Sequence, residues 1–166
     1  MSAYELAQLN IGTIRGPIDS PVMADFVANL ARINALADAS PGFLWRLQTE
    51  AGDATAIRPF DNESVAINMS VWRDTESLRR FVYRTAHADI LRRRAEWFEK
   101  MSEAFVVLWW VPRGHRPTVA EAIERLGALR SKGATAQAFT LRQTFPPPDA
   151  PAGEQPGTFG DECPAT

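Results

Sequence analysis

The chain has 166 residues, of which 45% are hydrophobic and 23% charged, and its formal net charge is -2. This balance is typical of a globular domain and offers no basic surface of the kind that binds nucleic acid. No stretch approaches the roughly 20 apolar residues that cross a bilayer, and the N-terminus does not resemble a signal peptide. We therefore expect a cytoplasmic protein that contacts neither nucleic acid nor membrane. Its single cysteine, Cys163, excludes an internal disulfide bond.

Hydrophobic periodicity predicts alternating strands and helices over residues 4–142. Alternating apolar and polar residues mark the strands, and apolar residues three or four apart mark the helices. Ser20, Asp74 and Thr118 are suitable caps for three helix N-termini. In chain order the pattern predicts a strand over 4–14, a helix over 21–38, strands over 43–49 and 64–72, a long helix over 75–98, a strand over 105–111, a helix over 119–131 and a short strand over 138–142. Thr85 competes for backbone hydrogen bonds and indicates a bend in the long helix near His87.

The composition changes after Gln143, where prolines and glycines become frequent. Such a segment buries too little apolar surface to form a core of its own. We therefore predict one folded domain over 1–143 and a disordered tail over 144–166.

A polar loop is predicted over 50–63, with Arg58 and Asp61. Its polar residues either form turns and a surface ion pair or bind a ligand.

The order β-α-β-β-α-β is typical of a ferredoxin-like α+β fold, an antiparallel four-stranded sheet with two helices on one face. A further C-terminal helix follows. The second sheet face carries large apolar side chains, among them Ile67, Met69 and Val71, and would be unusual if left exposed on a monomer. A second copy of the chain is the simplest cover for it. We therefore expect a homodimer, a dimeric α+β barrel with its sheets face to face.

Two residues on the long helix and one on a strand are candidates for catalysis. Tyr83 and His87 lie one helical turn apart, so both can point into the same space. An imidazole there can act as a general base or ligate haem iron, and the structural alternative is a histidine bound to a backbone carbonyl. Asn68 lies mid-strand and either stabilises an oxyanion in a cavity or bonds neighbouring backbone.

The other candidates are aromatic and basic. Most tryptophans belong to a core or a dimer interface, but Trp109 and its neighbour Trp110 must point to opposite faces, so one of them can line a cavity. Residues 92–94, all arginine, fan around a helix and fit a solvated surface. The candidates for substrate binding are Asn10, Trp72, Arg92 and Trp109. We identify no metal site, phosphate loop or nucleophile motif.

Seven segments together form a specific pattern: GFLWRLQ over 42–48, GDATAIRPF over 52–60, NMSVW over 68–72, FVYRTAH over 81–87, RRRAEWF over 92–98, WWVP over 109–112 and GHRPT over 114–118. They resemble an uncharacterised bacterial family, domain of unknown function 3291. The element order resembles the wider dimeric α+β barrel superfamily, which includes the antibiotic-biosynthesis monooxygenases. The resemblance covers residues 4 to about 143.

Cofactor-free oxygenases of that superfamily have an Asn and a Trp spaced N-x-x-x-W on the strand before the second helix, and Asn68 and Trp72 match this spacing. They also use a Tyr early in the next helix and an Arg further along. Leu78 occupies the early position, so Tyr83 would act from a different turn, and Arg92 corresponds to the Arg.

The resemblance thus implies a cofactor-independent enzyme for an apolar or aromatic compound that forms a carbanion. His87 or Tyr83 would move the proton, Asn68 would hold the oxyanion and Trp72 would pack against the ring. The alternatives are a non-catalytic dimer that binds a small molecule and a barrel that binds haem through His87.

Overall fold

A four-stranded antiparallel sheet forms the centre of the molecule in the computed structural model, which describes residues 1–49, 52–55 and 62–159. The strands are β1 (Tyr4–Thr13), β2 (Phe43–Arg46), β3 (Val65–Trp72) and β4 (Val106–Pro112). Their order is β2-β3-β1-β4, and all three pairings are antiparallel. The helices between them are α1 (Ala24–Asp38) after β1, and α2 (Thr75–Arg84), α3 (His87–Arg92) and α4 (Arg94–Trp97) after β3. This arrangement confirms the ferredoxin-like α+β fold.

The bend predicted in the long helix is confirmed and has a local cause. Thr85 Oγ1 donates to the carbonyl oxygen of Phe81 at 2.6 Å and accepts from the backbone N–H of His87 at 3.2 Å. These bonds replace helical ones, so α2 ends at Arg84 and α3 begins at His87. The Asp74 cap is also confirmed, since its carboxylate accepts from the N–H of Ser77 at 2.8 Å.

The predicted Ser20 cap is wrong. The Ser20 hydroxyl donates to the carbonyl oxygen of Pro17 at 2.5 Å, and a short 3-10 turn over Pro21–Met23 precedes α1. The Ser20 side chain accepts no hydrogen bond from the first turn, and the N–H of Met23 donates to the backbone carbonyl oxygen of Ser20 at 3.1 Å instead. The start of the helix is therefore set by the turn and not by a side-chain oxygen.

The sheet face opposite α1 is covered by the chain itself. Helix α5 (Val119–Lys132) packs Leu126 and Leu129 against a cluster of buried strand residues that includes Met69 and Val107. Because α5 supplies the cover, the argument that an exposed apolar face requires a second copy is wrong. The homodimer stays a prediction without that support.

The segment after residue 143 also differs from the prediction. Residues 144–159 lie against the domain: β5 (Gln143–Thr144) pairs with β6 (Gly157–Thr158), and the N–H of Ala3 donates to Asp149 at 2.6 Å. The disordered tail is therefore wrong for 144–159, because a segment that cannot form its own core can still pack on one that exists. The strand predicted over 138–142 is reduced to two isolated bridges, one between Phe139 and Leu108 and one between Ala138 and Thr135.

Arg58, Asp61, Cys163 and the remainder of 160–166 lie outside the described residues. None of the helices within the described ranges combines the length and hydropathy needed to span a bilayer.

Candidate functional site

An open cavity of about 220 Å³ lies between the sheet and helices α1–α4. The apolar side of α1, with Phe26, Leu30 and Ile33, forms part of its roof. These side chains are only half-buried, and Ala37 is the buried residue of that helix. The amphipathic pattern thus correctly predicts which side of α1 faces the sheet. That side borders the open cavity, however, and is not packed in a core.

Polar side chains from β1 and β3 form the floor in two adjacent rows. Asn10 lies opposite Asn68, and Gln8 lies opposite Ser70. In the second row the Ser70 hydroxyl donates to Gln8 Oε1 at 2.8 Å and accepts from Trp72 Nε1 at 2.9 Å. In the first row, neither amide has a side-chain hydrogen bond to another described residue, so both remain available to a ligand.

Trp72 forms one wall of the cavity, in a fixed orientation. Its ring stacks on Phe81 with centroids 5.1 Å apart and meets the edge of Phe43 at 5.3 Å. Together with the bond to Ser70, these contacts leave Trp72 only 1% exposed. Trp72 therefore fixes the wall of the cavity in place, with almost none of its ring surface open and its N–H already used.

His87 lies at the start of α3, and its ring centroid is 4.9 Å from that of Phe81. His87 Nδ1 is 3.2 Å from the carbonyl oxygen of Val82. A carbonyl can only accept, so this contact assigns the proton to Nδ1 and leaves Nε2 as an acceptor. Burial lowers the pKa of His87 below its usual 6.5, although the bond to Val82 opposes that shift. At neutral pH the ring is therefore uncharged and can take up a proton.

Arg94 is a site residue that the sequence analysis missed. Its Nη2 donates to the carbonyl oxygen of Ile11 at 3.2 Å, and its guanidinium lies over the rings of Phe98 and Phe105 at 4.6 and 4.4 Å. Burial lowers the pKa of Arg94 to about 10. Gly12 makes this packing possible, because a Cβ there would overlap Phe98 and lie 3.1 Å from Arg94 Nη2.

Two of the predicted site residues are not at the cavity. Arg92 is exposed and pairs with Asp89, because the break between α3 and α4 at Arg93 turns residue 94 inward instead. Trp109 is buried on the opposite sheet face, where Nε1 donates to Glu121 at 3.0 Å. Both assignments are therefore wrong.

Five predicted residues do line the cavity together: Asn10, Asn68, Trp72, Tyr83 and His87. Tyr83 and His87 lie on separate helices on either side of the Thr85 bend and not one turn apart on a single helix. Sequence contained a signal for the strand residues, which share one face by their alternation. The sequence contained no signal that Arg94, rather than one of the two arginines before it, lines the cavity.

The cavity does not fit haem. A volume of about 220 Å³ is below the roughly 300–1,000 Å³ typical of sites for drug-sized ligands, and the haem macrocycle is larger than such ligands. His87 Nε2 is the right kind of ligand for iron, but a cavity of this volume does not enclose the ring. Across the described residues no group of three or more His, Cys, Asp or Glu is placed to hold a metal ion.

The fold and the cavity define a ferredoxin-like α+β protein with a small open cavity between its sheet and its helices. The profile of the family described as domain of unknown function (DUF3291) matches residues 5–155, and the chain belongs to this family. No curated protein has a significantly similar sequence.

Several solved structures are similar in fold. A mutant of SnoaB, a cofactor-independent oxygenase from Streptomyces nogalater, is 22% identical, with 69% of this chain and 98% of that chain covered and a TM-score of 0.44. PA3566 from Pseudomonas aeruginosa is 18% identical, with the same coverage and a TM-score of 0.44. MupZ from Pseudomonas fluorescens is 16% identical, covering 92% of this chain and 95% of its own, with a TM-score of 0.41. Similarity at this level carries no statement about activity.

Proposed function

We propose that the protein binds a compact apolar or aromatic molecule in this cavity and removes a proton from it, as a cofactor-independent monooxygenase would. The observation that carries the proposal is the state of His87. Its Nδ1 is held by the Val82 carbonyl, its pKa is lowered, and its ring lines the cavity. A general base works best when it is neutral, oriented and close to the proton that it takes.

The floor of the cavity supports the same proton-removal step. Proton removal from a carbon next to a carbonyl places negative charge on the carbonyl oxygen, and the amide N–H groups of Asn68 and Asn10 are suitable donors to that oxygen. Trp72, which is almost wholly buried, holds the apolar wall of the cavity in place beside the substrate. Tyr83 is a second group on the roof that could return or relay the proton.

The overall chemistry balances with dioxygen as the oxidant. The carbanion transfers electrons to dioxygen and forms a carbon–oxygen bond, which gives a hydroperoxide. Loss of the second hydrogen from the same carbon, with cleavage of the oxygen–oxygen bond, leaves a carbonyl and one molecule of water. One oxygen atom enters the product and the other leaves as water.

The competing proposal is binding without turnover in the same cavity. It is supported by the half-buried apolar side chains of α1, which favour an apolar ligand whether or not chemistry follows. In either case the described lining residues come from one chain, so we expect one ligand per chain. The homodimer and the cytoplasmic location remain predictions.

Oxygen uptake with anthrone, an aromatic ketone with an acidic methylene group, tests the enzymatic proposal. Wild-type protein should convert anthrone to anthraquinone faster than the protein-free solution does. His87→Gln should lower that rate about a hundredfold or more, because the base is lost while a donor to Val82 is kept. Asn68→Ala should lower it by a similar factor. His115→Gln is the matched control, since His115 contacts Glu121 on the other side of the sheet.

The outcomes separate the two proposals. Full activity in His87→Gln would overturn the role of the imidazole. Absence of turnover by the wild type, together with a small molecule that remains bound in native mass spectrometry, would favour binding alone.

A further inference from the structure

Arg94 is a cation whose charge no described residue balances. Its described contacts are one carbonyl oxygen, that of Ile11, and the faces of Phe98 and Phe105. No ion pair joins it to any carboxylate in the described ranges, and burial alone accounts for its lowered pKa. Removing a guanidinium from water without an anionic partner destabilises a fold, so such a group is worth explaining by function.

The described lining of the cavity contains basic groups and no acidic ones. Its ionisable side chains are Arg46, Tyr83, His87, Arg94 and Arg142, with no Asp or Glu among them. Arg46 is already bound to Asp38 at 2.8 Å and to the carbonyl oxygen of Gly52. Arg142 has interactions of its own. The charge that remains uncompensated is therefore that of Arg94, and it favours an anion in the cavity.

Arg94 also occupies a distinct end of the cavity. It lies beside Gly12, which pairs with Ala66 at the start of β3, whereas Trp72 ends the same strand. Six residues of strand span roughly 20 Å, and Asn68 is only two residues, or roughly 7 Å, from the Arg94 end. A ligand anchored at Arg94 would thus lie along the floor towards the two amides.

We propose that the natural ligand of the cavity carries a carboxylate and that Arg94 binds it. A guanidinium keeps several N–H donors after one bond to Ile11, and their planar arrangement matches the two oxygens of a carboxylate. A doubly charged phosphate would call for more cations or a set of backbone N–H groups, and the described residues place neither beside Arg94. The proposal rests on the proposed function only in that both use the same cavity.

The test compares 2-naphthoate with 2-naphthamide, which share a ring system and differ in charge. Binding of each to the full chain is measured by titration calorimetry, with 2-naphthyl phosphate as a third probe. The wild type should bind the carboxylate about ten- to a hundredfold more tightly than the amide. Arg94→Met should lose that preference while still binding the amide, and Arg94→Lys should keep part of it. Arg92→Met is the matched control, because it removes an exposed guanidinium two residues away.

Each result decides the matter. Equal affinity of the wild type for carboxylate and amide overturns the proposal, and it needs no variant, so a misfolded Arg94→Met does not block the test. A preference that survives in Arg94→Met, or tighter binding of the phosphate, also overturns it. If 2-naphthamide binds as tightly as 2-naphthoate, the cavity still binds small molecules, and only the proposed carboxylate recognition by Arg94 is refuted. If none of the probes binds, this proposal fails, whereas the enzymatic proposal is judged separately by oxygen uptake.

Discussion

Replacement of His87 by glutamine should remove a specific part of the pH dependence of stability. In the unfolded chain the imidazole has its ordinary pKa of 6.5, and in the folded protein burial lowers that pKa. Below pH 6.5 the unfolded state therefore binds the proton more readily. Stability falls as the pH drops from 6.5 to the folded pKa and is constant below it.

The size of the effect has an upper limit. At pH 5.5 the unfolded imidazole, one pH unit below its pKa, gains about 1.4 kcal/mol from protonation if the folded ring stays neutral. The carboxylate of Glu121 does not interfere in this window. Burial alone would raise the pKa of Glu121, but hydrogen bonds from His115 and Trp109 hold it below its usual 4.5, so it is ionised in both states at pH 5.5.

Urea unfolding followed by circular dichroism at pH 7.5 and pH 5.5 measures this difference. Between pH 7.5 and pH 5.5, the free energy of unfolding of the wild type should fall by up to about 1.4 kcal/mol more than that of His87→Gln. His115 is present in both proteins, so its contribution cancels. Identical pH dependence in the two proteins, or a larger loss in the variant, would refute the assignment of His87 as a neutral buried base.

Two further substitutions test the packing around the cavity by the same unfolding assay. Ser70→Ala leaves Trp72 Nε1–H and Gln8 Oε1 without their described partner and should cost about 2–4 kcal/mol, whereas Ser70→Thr, which keeps a hydroxyl, should cost clearly less. Leu126→Ala, at a residue 2% exposed under α5, should cost about 2–5 kcal/mol, against about 0.5 kcal/mol or less for the exposed Glu124→Ala. A near-zero effect of Leu126→Ala would mean that α5 is not the cover of the sheet.

Local patterns in the sequence determined most of the elements and the strand residues of the cavity. Strand alternation has a period of two, so Asn68, Ser70 and Trp72 had to share one face wherever the strand packed. The Asp74 cap and the Thr85 bend depend on hydrogen bonds to residues three or four positions away, and such contacts are readable from the chain alone.

Only the tertiary structure decided which groups face the cavity. Trp109 and Trp110 had to point to opposite faces of the sheet. Which of the two faces borders the cavity depended on where α1 and α5 packed. Arg92 and Arg94 look alike in sequence, and the helix break at Arg93 sent one into solvent and the other against Ile11. The covering of the sheet by α5, in place of a second copy, likewise depends on contacts between segments distant in the chain, which no local pattern encodes.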